Sequence, residues 1–269
     1  METKKTKKQG FRGIEAAGLV IIGCFIAALC IYNFIFGNPH NFMNDDPNNH
    51  PLPGNMLGTI YKGGIVVPVI QTLLLTVLTL SVERFFSIRA AFGRGKLTKF
   101  VAQIKAALAE GNMAKAQELC DKQRGSIANV VGSTLNKYRE VEKSTDLTKD
   151  QQVLAIQKEL EEATALELPM LQQNLPIIGT ITTLGTLCGL LGTVIGMIRS
   201  FAALSAGGGT DSVALSTGIS EALINTAFGI LTGALAVISY NYFTNKIDKL
   251  TYALDEVGFS IVQTYAATH

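Results

Sequence analysis

Four stretches of this chain are long and apolar enough to cross a lipid bilayer, and no other feature of the sequence restricts its fold as strongly. A spanning helix needs roughly 20 consecutive apolar residues, and the hydrocarbon layer offers no water to satisfy an unpaired backbone amide. Residues 14–36, 63–82, 175–198 and 212–244 meet that requirement. The first holds one charge, Glu15 at its edge, and the second and third hold none. Hydrophobic residues make up 48% of the chain and charged residues 16%, a balance outside the usual soluble range. The expected fold is all-α, a polytopic membrane protein with four transmembrane helices and a helical cytoplasmic region. The first apolar run exceeds the h-region of a signal peptide, and Gly37-Asn38-Pro39 is a poor cleavage site.

Charge sets the expected orientation. Of the 23 basic residues, all but Lys62 and Arg199 fall before the first run, between the second and third, or after the fourth. By the positive-inside rule both termini and the 83–172 region are cytoplasmic. The expected organisation is a tail at 1–13, spans at 14–36, 63–82, 173–201 and 215–243, periplasmic segments at 37–62 and 202–214, and a cytoplasmic C-terminal helix at 244–269. Within 83–172, Leu97, Val101, Ile104 and Leu108 repeat at helical spacing, and Gly111-Asn112 breaks that helix. The charged face around Lys158, Glu159, Glu161 and Glu162 reads as a solvated exterior. The Asn- and Pro-rich stretch 37–55 reads as an irregular surface loop, in which Asp45 and Asp46 have a weak claim to a cation.

The fourth run carries one carboxylate, Glu221. An ionisable group at bilayer depth costs at least ~2.5 kcal/mol on insertion scales and therefore faces a protein interior or a water path. The alternative is a carboxyl that stays protonated and only bonds a neighbouring helix. Polar residues recur beside it: Thr217, Glu221 and Asn225 at i, i+4, i+8 with Thr226 adjacent, and Thr182, Thr186 and Thr193 on the third run. Gly185, Gly189, Gly192 and Gly196 form a stripe at helical spacing, and Gly229 and Gly233 make a GxxxG pair. Such stripes let helix backbones approach closely, and threonines in membrane helices often serve packing alone. A hydroxyl, an amide and an acid on one line favour a hydrated proton or cation path.

Cys24, Cys30 and Cys188 lie in spans and Cys120 on the reducing side, so disulfides are not expected. No Cys or His spacing suits a metal, no span holds His, and apart from Glu15 at the edge of the first no span holds a second acid, which argues against an intramembrane enzyme. A purely structural scaffold would use the glycines and leave the Glu–Thr line unexplained.

The segments LLGTVIGMIRSF (190–201) and STGISEALINTAFG (216–229) closely resemble the MotA/TolQ/ExbB proton-channel family, most of all its ExbB/TolQ branch. Tyr240-Asn241 fits as well, and the resemblance reaches from about Gly63 to the C-terminus. It implies a homo-oligomeric, pentameric subunit of a bacterial inner-membrane motor surrounding the transmembrane helices of an ExbD-like dimer, with a TonB-like protein as its output. It also implies Thr193, Glu221 and Thr226 as pore positions, the membrane aspartate being supplied by the partner. No cofactor or nucleic acid is implied; the energy source is the proton motive force. The branch typically has three spans, so the run at 14–36 is a departure. A TolQ-type envelope-maintenance motor and a gliding or flagellar stator are the alternatives within the family.

Overall fold

A computed structural model describes residues 17–144, 146–206 and 212–268, with the side chains of 203, 206, 212–214 and 217 excepted. The basic tail at 1–13 and residues 207–211 of the expected connector lie outside it. The helices are α1 (Ala17–Cys30), α2 (Met56–Lys62), α3 (Val66–Phe92), α4 (Leu97–Ala109), α5 (Met113–Gln123), α6 (Gly125–Glu142), α7 (Lys149–Gln172), α8 (Leu175–Ala206) and α9 (Ser212–Thr268). No strand occurs among the described residues, and four helical stretches are long and apolar enough to cross a membrane. The described residues form two compact units, one drawn from Ile14–Val82 and Asn174–Asn241, the other from Glu83–Gln173 and Tyr242–His269. The expected division at 243/244 is not a helix break, because α9 runs uninterrupted for 57 residues.

In the first unit, α1 buries only Cys24 and Ala28 and turns Leu19, Ile22 and Ile26 outward, as a lipid-facing helix does. It ends in a π-helical turn, Ile31–Phe36. The loop that follows is pinned. Asn41 donates from Nδ2 to the carbonyls of Ile35 (2.9 Å) and Phe36 (3.1 Å), the terminal acceptors that no helical N–H reaches. Asn55 caps α2 by accepting from the amides of Leu57 and Gly58. Tyr32 stacks on Tyr61 with ring centroids 4.7 Å apart and donates to its carbonyl. Of the two loop aspartates, Asp45 bonds His40 and Asp46 bonds Asn48, so each is engaged locally. Pro68 falls in the first turn of α3, where its missing N–H breaks no helical bond.

The second unit is a helical bundle. Ile104, Leu108, Ile127, Leu135, Ile156, Leu250 and Tyr265 are among its largest fully buried side chains. On α4 the structure buries Phe100 with Val101, Ile104 and Leu108, while Leu97 is only half-buried. A capping box of Thr148 and Gln151 starts α7. Gln152 donates to the carbonyls of Val141 and Ser144 at the end of α6 and accepts from Tyr265 Oη at 2.8 Å, so one amide ties α6, α7 and α9 together. Buried Arg84 pairs with Glu83 and donates from Nη1 to the carbonyls of Met170 and Leu171, satisfying acceptors at the end of α7. The turn between α5 and α6 needs glycine: Gly125 sits at φ +79 with the backbone of Ala90 and Ala91 against the place a Cβ would take. On α7, Lys158, Glu161 and Glu162 are exposed, with Lys158 and Glu162 paired at 3.7 Å in the open, while Glu159 is half-buried.

Burial pushes the Cys120 thiol up to about 12, with the nearby Asp121 charge adding to the effect. Alkylation requires thiolate, so Cys120 is expected to resist maleimide at neutral pH until the protein is unfolded. The check is mass-spectrometric labelling before and after denaturation; rapid native labelling would mean that the bundle opens at α5.

Candidate functional site

The small residues foreseen on α8 and α9 meet face to face. A methyl group placed on Gly189 would lie 3.0 Å from both the Asn225 carbonyl oxygen and Gly229 Cα, and one on Gly185 would lie 3.2 Å from the Gly233 nitrogen. On Gly192 it would meet Asn225 Cβ at 2.6 Å, and on Gly196 Ala222 Cβ at 2.7 Å. From the other helix, a methyl on Gly229 would press on Gly189 Cα at 2.6 Å, and one on Gly233 would fall 2.7 Å from the Thr182 carbonyl and from Thr186 Oγ1. Main chain therefore packs on main chain at Gly185, Gly189, Gly229 and Gly233, and on the side chains of Asn225 and Ala222 at Gly192 and Gly196.

This proximity places the hydroxyls. Thr193 Oγ1 and Thr226 Oγ1 touch each other. Thr193 also reaches the carbonyls of Gly189 and Ala222, each at 3.3 Å, and Thr226 reaches that of Gly189 at 3.2 Å. Both threonines are half-buried. Thr182 bonds the Gly179 carbonyl at 2.6 Å, within its own helix.

Glu221 faces a different space. It is half-buried and lines a cavity of about 290 Å³ together with Lys62, Arg199, Ser200, Asn225 and residues Asn48 to His50 of the loop. Lys62 and Arg199 lie within electrostatic range of the carboxylate, which makes no hydrogen bond or ion pair among the described residues. Asn225 borders the cavity and is 2% exposed; its Nδ2 donates to the Gly63 carbonyl at 3.1 Å, and its buried Oδ1 has no partner among the described residues.

Sequence reasoning thus named residues that the fold distributes over two neighbouring places. Thr193 and Thr226 meet in the helix pair, Thr182 and Thr186 lie further along it against Gly233, and Glu221 lines the cavity with Asn225 beside it. Thr217 has its side chain outside the described residues. Lys62, Arg199 and the loop residues of the cavity were not foreseen. The signal was present, since Lys62 and Arg199 are the two basic residues left over by the charge asymmetry.

The fold and site together define an all-helical, multi-pass membrane protein with one carboxylate in a span and a glycine-packed, threonine-bearing helix pair. Residues 126–256, which hold α8 and the site-bearing half of α9, match the model of the MotA/TolQ/ExbB proton channel family. Its relatives include the biopolymer transport protein ExbB-like 3 of Synechocystis, 35% identical over 112 residues, 41% of this chain and 53% of that protein. The TolQ protein of the Tol-Pal system in Pseudomonas aeruginosa is 35% identical over 33% of this chain and 38% of its own length. The biopolymer transport protein ExbB of Salmonella typhimurium is 32% identical over 32% of this chain and 35% of its own. The chain thus spans between about a third and a half of the length of these relatives.

Proposed function

We propose that this protein is the ExbB-like subunit of a proton-driven motor in a bacterial inner membrane. With an ExbD-like single-span partner it energises TonB-dependent transport across the outer membrane. The observation that carries this reading is Glu221, a lone spanning carboxylate in a polar cavity, roughly 7.5 Å along the helix from a touching pair of hydroxyls. Both termini and the α4–α7 bundle lie in the cytoplasm, as the charge asymmetry requires. Homo-oligomerisation as a pentamer would line a central space with α8 and α9, and the partner's dimer would occupy it. Protons enter on the outer side at Glu221, pass the Thr193–Thr226 pair and use an aspartate of the partner. Each charge crossing 100 mV releases ~2.3 kcal/mol, which relative motion of the two subunits converts into work. The chain makes and breaks no covalent bonds in this scheme and needs no cofactor.

A TolQ-type role in envelope maintenance is the second reading, supported by the TolQ relatives at the same level of identity. Purifying the protein from its native membrane and identifying the small single-span protein that accompanies it separates the two. An ExbD-like protein with a TonB-like companion supports the first reading, and Tol-Pal components support the second. Recovery without any single-span partner would overturn both.

Thr193→Val and Thr226→Val keep the side-chain shape and remove the hydroxyl. Loss of one such bond is expected to slow energy-dependent transport about 2- to 10-fold while leaving the assembled complex near normal in amount. Transport assays normalised to recovered complex check this. Full transport in both variants would remove the threonines from the path.

A further inference from the structure

Within the unit that holds the helical bundle, α3 and α9 frame a groove of about 230 Å³ lined by Phe85, Ile88, Arg89, Phe92, Tyr242, Phe243 and Lys246. Its walls are aromatic and aliphatic, and its two charges are both positive. Arg89 is exposed, Lys246 is half-buried with Nζ 5.5 Å from the centre of the Tyr242 ring, and neither has a carboxylate partner among the described residues. On α9, Lys246 is the first charged residue after Glu221; on α3, the run that is uncharged from Gly63 to Val82 is followed by the buried Glu83–Arg84 pair and then by Arg89, the first exposed cation. Cations and aromatic rings at the end of an apolar run mark the depth of the lipid head groups. Two unpaired cations above an apolar cleft fit a phosphodiester whose glycerol backbone and upper acyl chain lie on the rings.

We propose that this groove binds an anionic phospholipid, with Arg89 and Lys246 holding the phosphate and Phe85, Phe92 and Phe243 the apolar part. The site is independent of the ion path, since none of its residues lines the Glu221 cavity. Basic pockets between spanning helices on the cytoplasmic side recognise anionic head groups on these grounds.

The test uses the purified full-length protein and phosphatidylglycerol, with phosphatidylcholine as the zwitterionic comparison. Lipid retained through stepwise detergent washing is counted by native mass spectrometry, and a photoactivatable phosphatidylglycerol maps the contact. Selective retention of phosphatidylglycerol is expected, cross-linked within 85–92 or 242–246. Each cation strengthens binding about fivefold near an anionic surface, so the double variant R89Q/K246Q should weaken retention roughly 30-fold. The charge-preserving R89K/K246R should retain it, which separates charge from folding. Equal retention of phosphatidylcholine, or unchanged retention in R89Q/K246Q, would overturn the proposal. So would complete displacement by free glycerol phosphate, which would mean that the groove takes an anion and not a lipid. Loss of oligomer in R89Q/K246Q with lipid retention intact would instead make the groove a contact between copies, and would also overturn it.

Discussion

Replacing Glu221 with Gln is expected to leave insertion, oligomerisation and partner binding intact and to lower proton-driven transport at least about 100-fold, the scale on which a positioned proton-transfer group acts. Glutamine keeps the size and most of the hydrogen-bonding capacity of the side chain but cannot ionise. The carboxylate makes no hydrogen bond or ion pair among the described residues, so its loss removes no contact from the folded state. A packing role would need such a contact. Glu221→Asp should keep partial activity, because the acid survives with a shorter reach. The readout is uptake dependent on the proton motive force, normalised to complex recovered from the membrane. Near-normal uptake in Glu221→Gln would reduce the residue to a structural one.

Gly229→Val is expected to cost the complex about 1–3 kcal/mol, the usual penalty of overpacking, and to lower the amount assembled. Its first side-chain carbon alone would lie 2.6 Å from Gly189 Cα and 2.7 Å from the Gly185 carbonyl oxygen. Both are backbone atoms, so the helices must separate, and with them the Thr193–Thr226 pair. Gly23→Val on α1 is the matched control, since nothing lies within 4 Å of the place its Cβ would take. Thermal melting of the two purified variants compares them directly. Equal stability would mean that α8 and α9 do not pack through Gly229.

Much of this molecule was legible in its sequence because membrane helices obey few and strong rules. An uncharged run of sufficient length has little choice but to be a spanning helix, and the Gly185 and Gly229 stripes have no use except close approach. That approach in turn brings Thr193 to Thr226, so one pattern implied the other. The surroundings of Glu221 were not legible. Lys62 and Arg199 belong to α2 and α8, and only the folding back of residues 48–50 and 62 puts them in one cavity with a carboxylate on α9. Nor did periodicity show that Asn225, in line with Glu221, bonds Gly63 through its Nδ2 while its buried Oδ1 finds no partner among the described residues. The loop at 37–55 read as irregular because its order comes from asparagine side chains that bond backbone, not from a repeating pattern. On α4, the heptad-like spacing of four residues passed over Phe100, whose burial depends on the helices around it.

The central claim is that an ion path runs through Glu221 and is completed by a second protein. Proton flux into liposomes under an imposed membrane potential, followed by an internal pH dye, tests it most directly. Three preparations are compared: the protein alone, the protein with its co-purified single-span partner, and that complex carrying Glu221→Gln. Flux from the wild-type complex alone, with the other two at the level of empty liposomes, is the predicted result. Strong conduction by the isolated protein, or undiminished conduction by the Glu221→Gln complex, would contradict it.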